Sequence, residues 1–211
     1  MDLKPSWLLT PVVLAFSTAT LALDTDANQK LDYGYFYGQV AGGSLNENIG
    51  ENSNVTAIAV GGNYHILSDL MLTGEYEARF IHPKKTTTRI YTLLPGVAYR
   101  YSILDNLDVV AGGIAGLLWT SQTDNDTDKT IEKDSYFMWG GNITVRYAFN
   151  EYLEASGVAE VRRSDVLDEE VYTARVDYFT SPRIAFGGYY THRDKDVATS
   201  NEGGVSVRFF Y

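Results

Sequence analysis

The sequence predicts an all-β chain: an antiparallel up-and-down transmembrane β-barrel of about ten strands, with eight as the alternative. Three observations carry this. From residue 33 to the end there is no useful helical period; instead ten runs alternate with period two and are rich in Tyr, Val, Ile, Phe and Thr. The connections between them are alternately tight and long, as in a meander with two unlike ends. Each run also separates a charged face from an apolar one, and aromatic residues crowd the strand ends.

The 211 residues suffice for one domain, and 45% hydrophobic with 21% charged residues excludes a disordered chain. The absence of Cys rules out disulfides, thiolate metal sites and a cysteine nucleophile. A net charge of −10 argues against nucleic-acid binding, which needs Lys and Arg to displace counterions. At the N-terminus, Lys4 precedes an apolar run from Trp7 to Ala22 that ends in small residues before Asp24. That order predicts a cleavable signal peptide over 1–22, with cleavage after Ala27 as the alternative, and the run's length and its Thr, Ser and Pro content disfavour a membrane-spanning helix. The barrel domain is then 23–211, exported across at least one membrane.

In chain order the runs are 33–45, 54–67, 70–82, 89–103, 107–123, 135–149, 151–164, 171–181, 183–194 and 202–211. The first is Tyr- and Gly-rich and reaches a long polar segment, 46–53. The second returns to the tight Ser68-Asp69 turn. In the third, Met71, Thr73, Glu75, Glu77 and Arg79 oppose Leu72, Gly74, Tyr76, Ala78 and Phe80, before the segment 83–88. The fourth and fifth meet at Leu104-Asp105-Asn106, and 124–134 links on to the sixth. There Asn142, Thr144 and Arg146 oppose Ile143, Val145, Tyr147 and Phe149. After Asn150-Glu151, the seventh sets Glu154, Ser156, Glu160 and Arg162 against Leu153, Ala155, Gly157, Ala159 and Val161. The segment 165–170 leads to the eighth, where Thr173, Arg175 and Asp177 oppose Tyr172, Ala174, Val176 and Tyr178. Ser181-Pro182 and 195–201 connect the last two.

Collected over the runs, one face carries Arg79, Arg100, Arg146, Arg162, Arg175 and Arg208 against Glu75, Glu77, Asp108, Glu154, Glu160 and Asp177. A soluble barrel would turn these outward; a membrane barrel turns them into its lumen. The aromatics decide. Tyr64, Tyr99, Tyr101, Tyr147, Phe149, Tyr152, Tyr178, Phe179, Phe209 and Tyr211 lie beside the tight turns. Phe80, Tyr91, Trp119, Phe137, Trp139 and Tyr190 lie near the opposite ends. Two such bands read as interfacial girdles. Near-neutral pairing in a narrow lumen favours a plugged interior, with a gated small-solute channel as the alternative.

The chain stops on Val205-Ser206-Val207-Arg208-Phe209-Phe210-Tyr211, with Val205, Val207, Phe209 and Tyr211 on one face. This resembles the C-terminal signature of bacterial outer-membrane barrels, and the whole mature chain resembles small Gram-negative barrels of the opacity-protein type. The resemblance implies residence in the cell outer membrane, recognition of the terminal strand by the barrel-assembly machinery, and contact with outer-membrane lipids and lipopolysaccharide. It names no cofactor. A monomer is expected, with no nucleic-acid partner. Its role is structural or surface-interacting, through acidic outer segments, or else that of a small porin-like channel.

Glycine pairs at 42–43, 61–62, 112–113, 140–141, 187–188 and 203–204 fall in three loop-connected hairpins. They are expected to lie roughly opposite one another and to make room for bulky neighbours. Catalytic chemistry is not expected. His82 and His192 lie near the outer strand ends among Asp165, Asp194 and Asp196, with no Ser-His-acid grouping readable in sequence. His65, beside a tight turn, reads as a periplasmic-side lumen residue. Asp124, Asp126 and Asp128 are spaced like a calcium loop but lack the following Gly and the twelfth-position Glu, where Ser135 stands.

Overall fold

The computed structural model describes residues 31–47, 53–83, 86–127, 129–195 and 198–211. The expected signal peptide and Lys84, Lys85, Asp128 and Asp196 lie outside these residues. Ten antiparallel strands close into one barrel, so the eight-stranded alternative is set aside. They are β1 Tyr35–Glu47, β2 Ser53–His65, β3 Leu70–His82, β4 Thr86–Leu104, β5 Leu107–Asp124, β6 Thr130–Asn150, β7 Leu153–Ser164, β8 Glu169–Ser181, β9 Ile184–Lys195 and β10 Ala198–Phe210. Every sequence neighbour is a spatial neighbour, and β10 pairs with β1 from Tyr35↔Phe210 to Glu47↔Ala198. This closure leaves no sheet edge in hydrocarbon, where each unpaired backbone group costs several kcal/mol.

The strands are longer at the outer end than alternation alone suggests. Thr86–Thr88, Thr130–Asp134, Glu169–Glu170 and Ala198–Asn201 all belong to strands rather than to connections. Their Thr, Ser and charged residues break the apolar pattern, which hides them from a reading of hydropathy. At the other end, residues 31–34 are not strand but fold back into the barrel mouth, where Leu31 and Tyr33 are buried. The tight turns pass hydrogen bonds to the next strand: Ala148 N–H donates to Asn106 O at 2.9 Å and Phe210 N–H to Arg183 O at 2.9 Å.

The register fixes the barrel's geometry. A path across the pairings runs from Tyr35 through Asn63, Thr73, Gly96, Ile114, Gly140, Arg162 and Glu169 to Lys195. One step beyond the last β9–β10 pair reaches Ala198, opposite Glu47, twelve residues along β1 from the start (35 to 47). A stagger of twelve over ten strands corresponds to a tilt of about 40° and a radius of about 10 Å. Such a lumen is narrow enough for long side chains to meet across it.

The glycine pairs do not all oppose one another as expected. Gly113↔Gly141 are direct partners. Across β9 and β10, however, Gly187 and Gly188 face Ser206 and Val205, and on the first hairpin Gly42 faces Thr56. Gly42 instead meets Gly203 across the closing seam. The register of each hairpin and of the closing seam sets these partners. The expected room for bulk does occur: a Cβ on Gly61 would lie 2.5 Å from the Tyr37 hydroxyl oxygen, and one on Gly204 would strike the Tyr189 ring.

Candidate functional site

Alternation sends one half of the side chains outward and the other into the lumen. Outside, Val40, Ile58, Val60, Leu93, Leu117, Val176 and Val205 are exposed between two aromatic bands. Phe36, Tyr64, Tyr99, Tyr147, Tyr178, Phe186 and Phe209 make the lower band, and Phe80, Tyr91, Trp119, Phe137 and Trp139 the upper. Phe179 is a correction. It follows Tyr178 directly, so the two cannot share a face, and it packs inside against Phe210 at 5.3 Å. Inside the wall are buried charges: Glu77, Arg79, Arg100, Asp108, Arg146, Glu154, Arg162, Asp177 and Arg208. An apolar exterior around a charged interior inverts a soluble barrel. This is the build of a bacterial outer-membrane β-barrel.

Among known proteins, no family model and no curated sequence matches the chain. Solved structures similar in fold include the translocator domain of the autotransporter NalP from Neisseria meningitidis, at 9% identity over 87% of this chain and 91% of that one, TM-score 0.49. Neisserial surface protein A is similar at 13% identity over 85% and 98%, TM-score 0.45. The attachment invasion locus protein Ail of Yersinia pestis is similar at 11% over 84% and 100%, TM-score 0.40.

The lumen is layered. At the tight-turn end the Arg146 guanidinium makes a two-pronged contact with Glu154, Nε to Oε1 at 2.8 Å and Nη2 to Oε2 at 2.7 Å. Arg208 Nη1 bridges Glu154 at 3.2 Å and Asp177 at 3.1 Å. Tyr33 covers this layer from below, its ring centre 4.1 Å from the Arg146 guanidinium carbon, while Arg146 Nη1 donates to Asp32 O at 2.9 Å. Arg100 turns instead to Asp69 in the Ser68-Asp69 turn, at 2.8 Å. Asp108 stands opposite Arg146 in register, but among the described residues it makes no ion pair within 4.0 Å. Nearby, His65 meets the Tyr33 ring edge-on.

Toward the outer end lies a larger layer. Glu77 accepts from Arg193 Nη2 at 2.5 Å and from Arg162 Nη1 at 3.2 Å. Arg79 donates to Glu202 and Ser200, Arg193 to Glu169 at 3.3 Å, and Arg162 to Glu160 and to Glu75 at 3.2 Å. Lys195 reaches Glu169 at 3.7 Å. Above it, Leu45, Val55, Ile81, Ile90, Leu118 and Met138 pack into an apolar cap within the mouth. Between the layers is a cavity of about 240 Å³ lined by Tyr37, Gln39, Thr73, Asn142, Thr144, Arg175 and Tyr189 among others. There Arg175 donates to Gln39 at 2.6 Å and sits 3.9 Å from Asp177.

Four members of the upper layer, Glu169, Arg193, Lys195 and Glu202, are absent from the lumen charges read in the sequence. They were findable. Glu169 shares parity with Arg175 and Asp177, Glu202 with Arg208, and Arg193 with Tyr189. Strand length hides Glu169 and Lys195, because β8 and β9 continue past their apolar stretches, whereas Arg193 and Glu202 lie within the runs and follow from alternation alone. Tyr33, Tyr35 and Tyr37 also line the lumen.

Among the described residues the remaining candidates stand apart from one another. His192 faces outward, with Nδ1 2.8 Å from Asn201 Oδ1, and His82 is exposed on β3. Asp124 Oδ1 is engaged by its own turn, accepting from the N–H groups of Asp126 and Thr127 and from the Thr127 hydroxyl. Those bonds, the Thr127 N–H foremost, hold its carboxyl below the usual carboxylate range.

Proposed function

We propose that this protein is a closed outer-membrane barrel of a Gram-negative bacterium, with a structural or surface-interaction role rather than a transport role. The observation that carries this is the double seal. Glu77, Arg79, Glu169, Arg193 and Glu202 are each at most 6% exposed, under a cap in which Leu118 and Met138 are 0% exposed. Among the described residues no ring of single-sign charge lines a path of the kind selective pores use. The outward chemistry supports membrane residence, and C-terminal Val205, Val207, Phe209 and Tyr211 stand on the lipid-facing side for the assembly machinery to read. The partners of such a barrel are outer-membrane lipids and lipopolysaccharide, and it works as a monomer without cofactor.

The test is planar-bilayer recording on refolded protein, alongside gel migration with and without boiling. Compact unboiled migration with silent bilayers is expected. Stepwise conductance from folded protein would establish the channel reading, and a chain that stays soluble without lipid would overturn membrane residence.

A further inference from the structure

Three strands outgrow the rest. β4, β5 and β6 have 19, 18 and 21 residues, whereas the other seven have 12 or 13. Their outer ends form a three-stranded blade above the upper aromatic band. Alternation sorts its charges by face. Asp124, Glu132 and Asp134 share parity with the lumen residues Leu118 and Met138, so the acids stand on the mouth side. Arg89 and Lys133 share parity with Tyr91, Trp119 and Phe137, so the bases stand on the lipid side. No acid of the blade shares that face.

The two bases belong to one cross-strand row, Phe80↔Arg89↔Ser121↔Lys133. With neighbouring strands about 4.8 Å apart, the Arg89 and Lys133 backbones are about 10 Å apart, with Ser121 between them. The next rows toward the membrane are Tyr91↔Trp119↔Ser135 and Leu93↔Leu117↔Phe137, an aromatic and apolar floor. Both bases are exposed, and among the described residues neither has a carboxylate within 4.0 Å. By contrast Arg163, outward on β7, lies within 4.0 Å of Asp168 and Glu170. A pair of cations with no such partner, at the upper edge of an aromatic band, matches the height at which lipid phosphates meet acyl chains.

We propose that the Arg89–Ser121–Lys133 row is a binding site for the phosphates of an outer-leaflet lipid of the lipid A type. The inference deepens the outer-membrane reading and rests on it. Arg89 and Lys133 supply charge and hydrogen-bond donors, Ser121 a further hydroxyl donor, and the floor below takes the lipid's apolar part. The acids on the opposite face are kept from the phosphates by the thickness of the sheet.

The test uses the full chain refolded in phosphatidylcholine vesicles, with lipid A or dephosphorylated lipid A added and the retained lipid counted by native mass spectrometry. A basic residue near an anionic surface is worth about fivefold in binding, so the R89Q/K133Q double variant is expected to retain lipid A about 25-fold more weakly. R163Q is expected to match wild type, and dephosphorylated lipid A to bind wild type as weakly as the double variant binds lipid A. Equal retention by wild type and R89Q/K133Q, or equal retention of the two lipids, overturns the site. Gel migration separates the failures: a double variant that remains compact and loses lipid supports the site, whereas a wild-type chain that never inserts overturns the outer-membrane reading and this site with it.

Discussion

The upper ionic layer is most sensitive at Glu77. Its carboxylate is 4% exposed and is shared by Arg193 at 2.5 Å and Arg162 at 3.2 Å, with Arg79 Nε at 3.8 Å. Glu77→Gln keeps the shape and one carbonyl acceptor but leaves three guanidiniums with one fewer counter-charge. Removing one partner of a buried pair costs about 3–5 kcal/mol, because the stranded charge has lost its water and its partner together. Here Glu169 and Glu202 still contact Arg193, which places the expected loss at the lower end, about 3 kcal/mol. Urea unfolding of the refolded barrel in vesicles, followed by Trp fluorescence, measures it. Arg193→Met in the same background supplies the control: the double variant should be less destabilised than the sum of the two singles, since it removes charge in pairs. A Glu77→Gln loss within about 0.5 kcal/mol, or strict additivity, would refute a charge-paired seal.

Tyr33→Ala should destabilise the barrel by about 3 kcal/mol in the same unfolding assay, because the ring is 2% exposed and stacked on Arg146. Gly204→Val should cost about 1–3 kcal/mol, since the new side chain meets the Tyr189 ring and the Val40 carbonyl. Deleting Phe209–Tyr211 should abolish membrane insertion, measured by fractionation, because it removes the Phe36↔Phe209 and Tyr35↔Phe210 pairs that close the seam. Accumulation of that truncated chain, folded, in the outer membrane would overturn the closure argument.

Strand direction, number and facing are local properties, and the sequence carried them. A period of two in Met71, Thr73, Glu75, Glu77 and Arg79 is enough to put those five side chains on one side of any sheet. The inverted chemistry of the two faces then follows from which side the aromatics band. The same local rule separates Tyr178 from Phe179, which cannot both face lipid, and turns Glu202 inward with Arg208. Backbone pairing also continues past the apolar stretches through polar residues such as Thr130 and Ser200, and it carries Glu169 and Lys195 into β8 and β9. What no local pattern holds is height around the barrel. Glu77 on β3 meets Arg193 on β9, 116 residues away, and Arg146 stops short of Asp108, its neighbour in register. The twelve-residue stagger and the reach of an arginine across a lumen about 10 Å in radius decide those partnerships. Only the closed barrel defines either distance, so the charges are written in the sequence and their pairing in the tertiary structure.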